Sequence, residues 1–290
     1  MKAYKGFNKD LTCRGFQFEI GKEYEEDSAK LCENGFHACE CPLDCFNYYT
    51  PNKSRYCEVE IEDSGEREKA DTKICGKKIK IYKEIGIKEL ISAAFKYIRS
   101  QCLDSKISGN RSAITSGDQS AIIVGNRSAI TSGDQSAIIV GDRSVITSGD
   151  RSAITGGYRS AITGGERSAI TGGSWSAITS GNRSAITGGD CSVITSGGWS
   201  AITGGDCSVI SSGALSAITG GDWSVIYGGK NAKVRGGLHS ILAIQYFENY
   251  EAKSIKFAEV DGEIIKANVF YKLNDKGEFI EDDSTNKTDK

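Results

Sequence analysis

Residues 149–172 read GDRSAITG, GYRSAITG, GERSAITG, three copies of one eight-residue unit, Gly-x-x-Ser-(Ala/Val)-Ile-Thr-(Ser/Gly). Outward from these copies, Gly returns at every eighth position from Gly109 to Gly237. Ser holds the fourth place from Ser112 to Ser224, and Ile the sixth from Ile114 to Ile226. A period kept this strictly marks a stacked repeat, not a disordered Gly/Ser tract, because each unit brings its own buried apolar residue.

Within a unit, Ser-Ala-Ile-Thr is a short strand bounded by Gly-containing turns. Side chains alternate, so Ser112 and Ile114 share one face while Ala113 and Thr115 share the other. Ile must be the buried residue, which makes Ser its inward companion and Ala/Thr the outward pair. Gly followed by Asn or Asp is expected to form the corner, with positive φ at the Gly. Eight residues leave no return path. Two units per turn give a mainly β, two-sided β-solenoid of sixteen-residue coils, about eight of them, ~35–40 Å long at the strand spacing. The alternation of Gly-Asn-Arg-Ser at 109 and 125 with Gly-Asp-Gln-Ser at 117 and 133 supports sixteen.

The unit resembles the octapeptide of bacterial ice-nucleation proteins, whose sixteen-residue coils pair a Gly-x-x-Ser-x-Leu-Thr half with a Gly-Tyr-Gly-Ser-Thr-x-Thr half. The likeness covers residues 109–229 and implies the same kind of solenoid. No unit here carries the Thr-x-Thr array associated with ordering water, so the resemblance implies the fold more than ice or surface binding.

Two units per coil place alternate units on opposite edges. One edge stacks Arg111, Arg127, Arg143 and Arg159, then Trp175, Cys191, Cys207 and Trp223; the other runs from Gln119 and Gln135 through Arg151, Arg167 and Arg183 to Trp199 and Leu215. The Arg111–Arg159 ladder is a candidate anion site, with acids such as Asp118, Asp134 and Asp142 as its local counter-charge. Trp175, Trp199, Leu215, Trp223 and Tyr227 form the candidate interface, for a second copy or a protein partner.

Around the repeat lie an α+β head (1–104), a β-rich C-terminal cap (237–280) and a polar tail (281–290), expected to be disordered. The solenoid itself is bounded at 105–236. The head is expected to hold strands at Arg55–Ile61 and Lys78–Tyr82. An amphipathic helix carries Ile87, Leu90, Ile91, Ala94, Phe95 and Ile98 and should cap the first coil. The C-terminal cap should hold strands Leu238–Phe247, Ser254–Val260, Glu263–Tyr271 and Glu278–Ile280.

Two constellations in the head carry chemistry. His37, Cys39, Cys41 and Cys45 are donors of the zinc type, although the spacing is not Cys-x-x-Cys. Tyr4-Lys5-Gly6-Phe7, Gly35-Phe36-His37-Ala38-Cys39 and the segment with Phe46, Tyr48 and Tyr49 faintly resemble the ADP-ribosyltransferase layout. Lys5 would stand for its Arg or His and Cys39 for its hydroxyl residue; no Glu fits the catalytic place. The layout as a whole is similar to uncharacterised bacterial and phage repeat proteins with a Gly-Phe-His-x-Cys head and a Val260-Asp261-Gly262-Glu263 tail.

A net charge of −2 and a pI near 5.9 give no basis for general nucleic-acid or membrane-surface attraction. The start lacks a signal-peptide run and no stretch reaches transmembrane length, so a cytoplasmic protein with ten free thiols is expected. No P-loop, dinucleotide fingerprint or catalytic triad is present. The expectation is a structural or interaction protein, not an enzyme, without cofactor unless the head holds zinc. Ice or surface binding, and a degenerate transferase-like or zinc-binding head, are the alternatives.

Overall fold

The computed structural model describes residues 1–68, 71–102, 104–248 and 250–282. They divide into two compact units, the first Met1–Tyr97 and the second beginning at Ile98.

The first unit runs β1 (Lys2–Asn8), β2 (Thr12–Cys13), β3 (Phe16–Gln17), β4 (Glu23–Glu25), β5 (Phe36–Cys39), a 3-10 turn (Pro42–Asn47), β6 (Ser54–Ile61), β7 (Lys73–Gly76), β8 (Lys78–Glu84) and most of α1 (Ile87–Gln101), whose last residues belong to the second. The main sheet has the order β4-β8-β6-β1-β5-β7 and all its pairings are antiparallel. Apolar residues alternate into its core: Ala3 and Phe7 from β1, Val59 and Ile61 from β6, Ile79 and Ile81 from β8. In α1, Leu90, Ile91, Ala94 and Ile98 are buried, as the helical spacing predicts.

The second unit holds the solenoid. Every repeat strand pairs in parallel with the strand sixteen residues on: Ile114 opposite Ile130, Ile130 opposite Ile146, Ile122 opposite Ile138. This fixes the coil at sixteen residues and puts alternate units into two sheets. Sheet 1 runs from Ala113–Thr115 to Ile241–Glu248, sheet 2 from Asp104–Ile107 to Lys233–Arg235. There are nine turns, one more than expected, because the irregular segments at 104–107 and 241–244 join the stack without matching the unit.

Inside, the Ile ladder from Ile122 to Ile226 is 0–2% exposed. The Ser ladder beside it is satisfied along the axis by Ser N–H groups that donate to the Oγ of the Ser one coil on, as from Ser120 to Ser136 at 3.3 Å and from Ser200 to Ser216 at 3.2 Å. A polar row this deep is tolerable only because it is paired in this way.

The corners differ from expectation. The repeat glycines do not hold positive φ; the third residue does, from Arg111 (58°) and Gln119 (54°) to Trp223 (58°). The glycine serves close approach instead. Where the residue after it is Asn or Asp, its side chain accepts the backbone N–H one coil on, as Asn110 Oδ1 does from Asn126 at 2.8 Å and Asp150 Oδ1 from Glu166 at 2.8 Å. A Cβ on Gly125 would lie 2.0 Å from Asn110 Oδ1, and on Gly165 2.1 Å from Asp150 Oδ1. At Gly109 and Gly117, with no Asn or Asp one coil earlier, it would meet nothing within 4 Å. Asp118, Asp134 and Asp142, read above as counter-charges for arginine, thus also each give one carboxylate oxygen to a backbone N–H of the next coil.

The outward faces also differ. In sheet 1 the Ala/Val row is exposed, with Val145, Val193, Val209 and Val225 at 55, 52, 48 and 45%. In sheet 2 the equivalent Ala137, Ala153, Ala169, Ala185 and Ala201 are at most 3% exposed. Outward pointing therefore means exposure on one sheet only.

At the C-terminal end, the cap strands join the two solenoid sheets and do not form a separate sheet. Glu251–Glu259 pairs antiparallel with Ile241–Glu248, and Tyr271–Leu273 with Lys233–Arg235 and with Phe279–Glu281. Antiparallel strands end parallel stacking. The expected strand Glu263–Tyr271 is replaced by turns, because Asp261 Oδ1 accepts the N–H groups of Glu263, Ile264 and Ile265 at 2.9, 2.9 and 3.0 Å. Of the tail expected to be disordered, Glu281 ends a strand and Asp282 is 6% exposed; 283–290 lie outside the described residues.

Candidate functional site

In the first unit, β1 and β5 pair through Tyr4 and Cys39, although 35 positions separate them. The pairing sets Lys5 beside His37, and the Lys5 Nζ donates to the His37 carbonyl at 2.9 Å. Beside them opens a cleft of about 440 Å³, within the range of small-molecule sites. Of the residues that carry the transferase resemblance, Tyr4, Lys5, Gly6, Gly35, Phe36, His37, Ala38, Cys39, Tyr48 and Tyr49 border it, while Phe7 and Phe46 are buried away from it. Gly6 is required there, since a Cβ would lie 2.6 Å from Tyr49 Cβ.

The aromatic wall is Phe16, Phe18, Phe36 and Tyr49. Phe18 meets Phe16 and Phe36 at centroid distances of 4.9 and 6.1 Å. Arg14 and Lys73 also border the cleft. Lys73 lies 4.6 Å over the Tyr48 ring and 3.9 Å from Glu68. Among the described residues the one carboxylate on the lining is Glu26, whose Oε2 accepts the Gly35 N–H at 3.1 Å. Burial, followed by Lys5, Lys73 and Arg14, holds the His37 imidazole below its ordinary value, so it is neutral at pH 7. Its Nε2 accepts the Cys32 N–H at 2.9 Å.

Of the zinc-type donors, His37, Cys39 and Cys45 border the cleft and Cys41 does not. The hydrogen bond with Cys45 and then burial raise the Cys39 thiol, while burial raises Cys41. Among the described residues, no three His, Cys, Asp or Glu side chains are grouped as a metal site.

On the solenoid, the edge entering sheet 1 places Trp175 and Trp223 at 57 and 64% exposed, with Cys191 and Cys207 between them as free thiols. Trp223 stacks on His239 at 4.4 Å. On the opposite edge Trp199 is engaged, with the Arg183 guanidinium 4.2 Å over its ring, and Leu215 is half-buried. Tyr227 lies on sheet 1 and donates to Gln245 Oε1 at 3.3 Å. The proposed patch is therefore split, with Trp175, Trp223 and Tyr227 on one side and Trp199 and Leu215 on the other. Sequence reasoning placed outward Ala/Val rows on both sides and missed that the Val residues gather on sheet 1. The signal was present: in the repeats Val replaces Ala at the fifth position only in units of sheet 1, at 145, 193, 209 and 225. Three members of the arginine ladder, Arg111, Arg127 and Arg143, line a groove of about 460 Å³ with Asn110, Asn126, Asp142 and Tyr158, and Arg159 stacks on Tyr158 at 5.0 Å.

These features define a β-solenoid repeat protein, closed at its C-terminal end by antiparallel strands, in one chain with a small β-rich head. Residues 1–93, the head, match the model of a family described as a domain of unknown function, DUF7666. No curated protein and no solved structure matches the chain.

Proposed function

We propose that the chain is a structural scaffold that associates, with a second copy or a protein partner, through sheet 1 and its Trp edge. The observation that carries this is the continuity of exposed apolar surface there: Val193, Val209 and Val225 along the face, Trp175 and Trp223 along the adjoining edge. Soluble monomers rarely leave such a strip uncovered. Docking either Trp removes roughly 150 Å² from water, about 4 kcal/mol each before the cost of association.

Light scattering on wild type and on Trp175→Ser with Trp223→Ser tests the self-association version. The expected result is an oligomer that falls to monomer in the double variant. A monomer in both overturns self-association. The same exposed face, with rows of Val or Ala beside Thr, is the one available to the alternative of surface binding. Ice-shaping by the wild type, abolished by Thr163→Lys, is the result that would favour it.

A further inference from the structure

The Lys5 ammonium is the least expected charge in the molecule. It is 7% exposed, borders the head cleft, and has no carboxylate within ion-pair distance among the described residues. Its contacts are one backbone carbonyl, at His37, and the Phe7 ring with centroid 5.4 Å away. Neither neutralises it. Holding a charge in this state is costly unless an anion completes the pair. Arg14 on the same lining is likewise without a carboxylate partner among the described residues.

We propose that the head cleft binds a phosphomonoester that carries a flat ring, of nucleoside-monophosphate size. Two cations without an acid partner, Lys5 and Arg14, match the two charges of a phosphate monoester. Lys73 adds a third positive charge at the rim, partly engaged by Glu68. Arginine suits phosphate through its forked donors and lysine as a point charge. Phe16, 52% exposed, and Tyr49 supply faces on which a ring stacks. The volume admits a ring, a sugar and one phosphate. Glu26, held by Gly35 N–H, is the only carboxylate on the lining among the described residues, so the phosphate belongs on the Lys5 and Arg14 side.

The test is calorimetric titration of the full chain with three probes: adenosine monophosphate, adenosine and inorganic phosphate. The monophosphate should bind, with either part alone at least ~10-fold weaker, and its affinity should fall with salt. Arg14→Gln, at an exposed position, should weaken binding ~10-fold with unchanged melting temperature. Lys5→Met should abolish binding, and its melting temperature without ligand should hold or rise, because an apolar side chain replaces a buried charge. Absence of binding by all three probes at ~10 mM overturns the proposal. So does monophosphate affinity that survives both substitutions, or an equal affinity for inorganic phosphate, which would leave the ring without a role.

Discussion

Alanine at two glycines of the same motif position separates the close-approach role from a conformational one. At Gly165 an added Cβ would lie 2.1 Å from Asp150 Oδ1, 2.7 Å from Asp150 N and 2.8 Å from Gly149 C. Two of these atoms are backbone of the preceding coil, so no side-chain rotation relieves the clash. The coils must separate locally, and the bond from Glu166 N to Asp150 Oδ1, 2.8 Å in the native stack, is strained or lost. Overpacking costs about 1–3 kcal/mol and the bond about 1 kcal/mol more, so Gly165→Ala should destabilise by about 3 kcal/mol. For a unit of this size that is a fall in melting temperature of roughly 6–12 °C. Gly109→Ala meets nothing within 4 Å and should lie within about 0.5 kcal/mol of wild type. Calorimetry or circular dichroism on the two variants reads both shifts. Equal shifts would refute the reasoning, since a requirement for glycine torsions would penalise both positions alike.

Further outcomes follow from the same contacts. Ile170→Ala, at a fully buried position of the ladder, should cost about 3 kcal/mol in denaturant unfolding, whereas Val145→Ala on the exposed row should cost under about 0.5 kcal/mol. A thiol reagent should modify Cys32 and Cys207 quickly in the native protein, and Cys39, Cys41, Cys45, Cys57 and Cys75 only after unfolding; early modification of the buried set contradicts the head's packing. Burial pushes the Cys57 thiol up to about 12, from an ordinary 9. Its folded value lies above the unfolded one, so its contribution to stability is complete below pH 9 and lost as pH rises from 9 to 12. Urea unfolding of the head should show the midpoint falling across that window, and a flat profile would count against the burial described.

The solenoid was legible because its physics is local and repeated. One Ile per unit demands burial, and eight residues cannot close a turn, so the coil length follows from the period. The glycine's task was not legible, because the atom it avoids, Asp150 Oδ1 for Gly165, lies fifteen residues back in the chain and becomes a neighbour only on stacking. The ninth turn escaped for the opposite reason. Residues 104–107 pair in register with Ser120–Ile123 but do not carry the Ser-Ala-Ile pattern of the unit. In the head, the sequence singled out Lys5, His37, Cys39, Tyr48 and Tyr49, and the cleft gathers all five. Arg14 and the aromatics Phe16 and Phe18 come from the β2–β3 hairpin and the chain just after it, which no motif marked. The Val row needed two facts together, the sixteen-residue coil and the identity of the fifth residue in alternate units.

The central claim is a parallel stack with one coil per sixteen residues. Spin labels at Thr131→Cys and Thr195→Cys, both exposed on sheet 1, test it by electron-spin distance measurement in a chain with Cys13, Cys32, Cys102, Cys191 and Cys207 changed to serine. The sites lie sixty-four residues apart, four coils of sixteen through successive in-register pairs, which places their backbones ~19 Å apart. A distance distribution centred near ~19 Å, broadened by the label arms, is the predicted result. One centred near ~38 Å, as eight-residue coils would give, or one without a defined maximum, would contradict the stack.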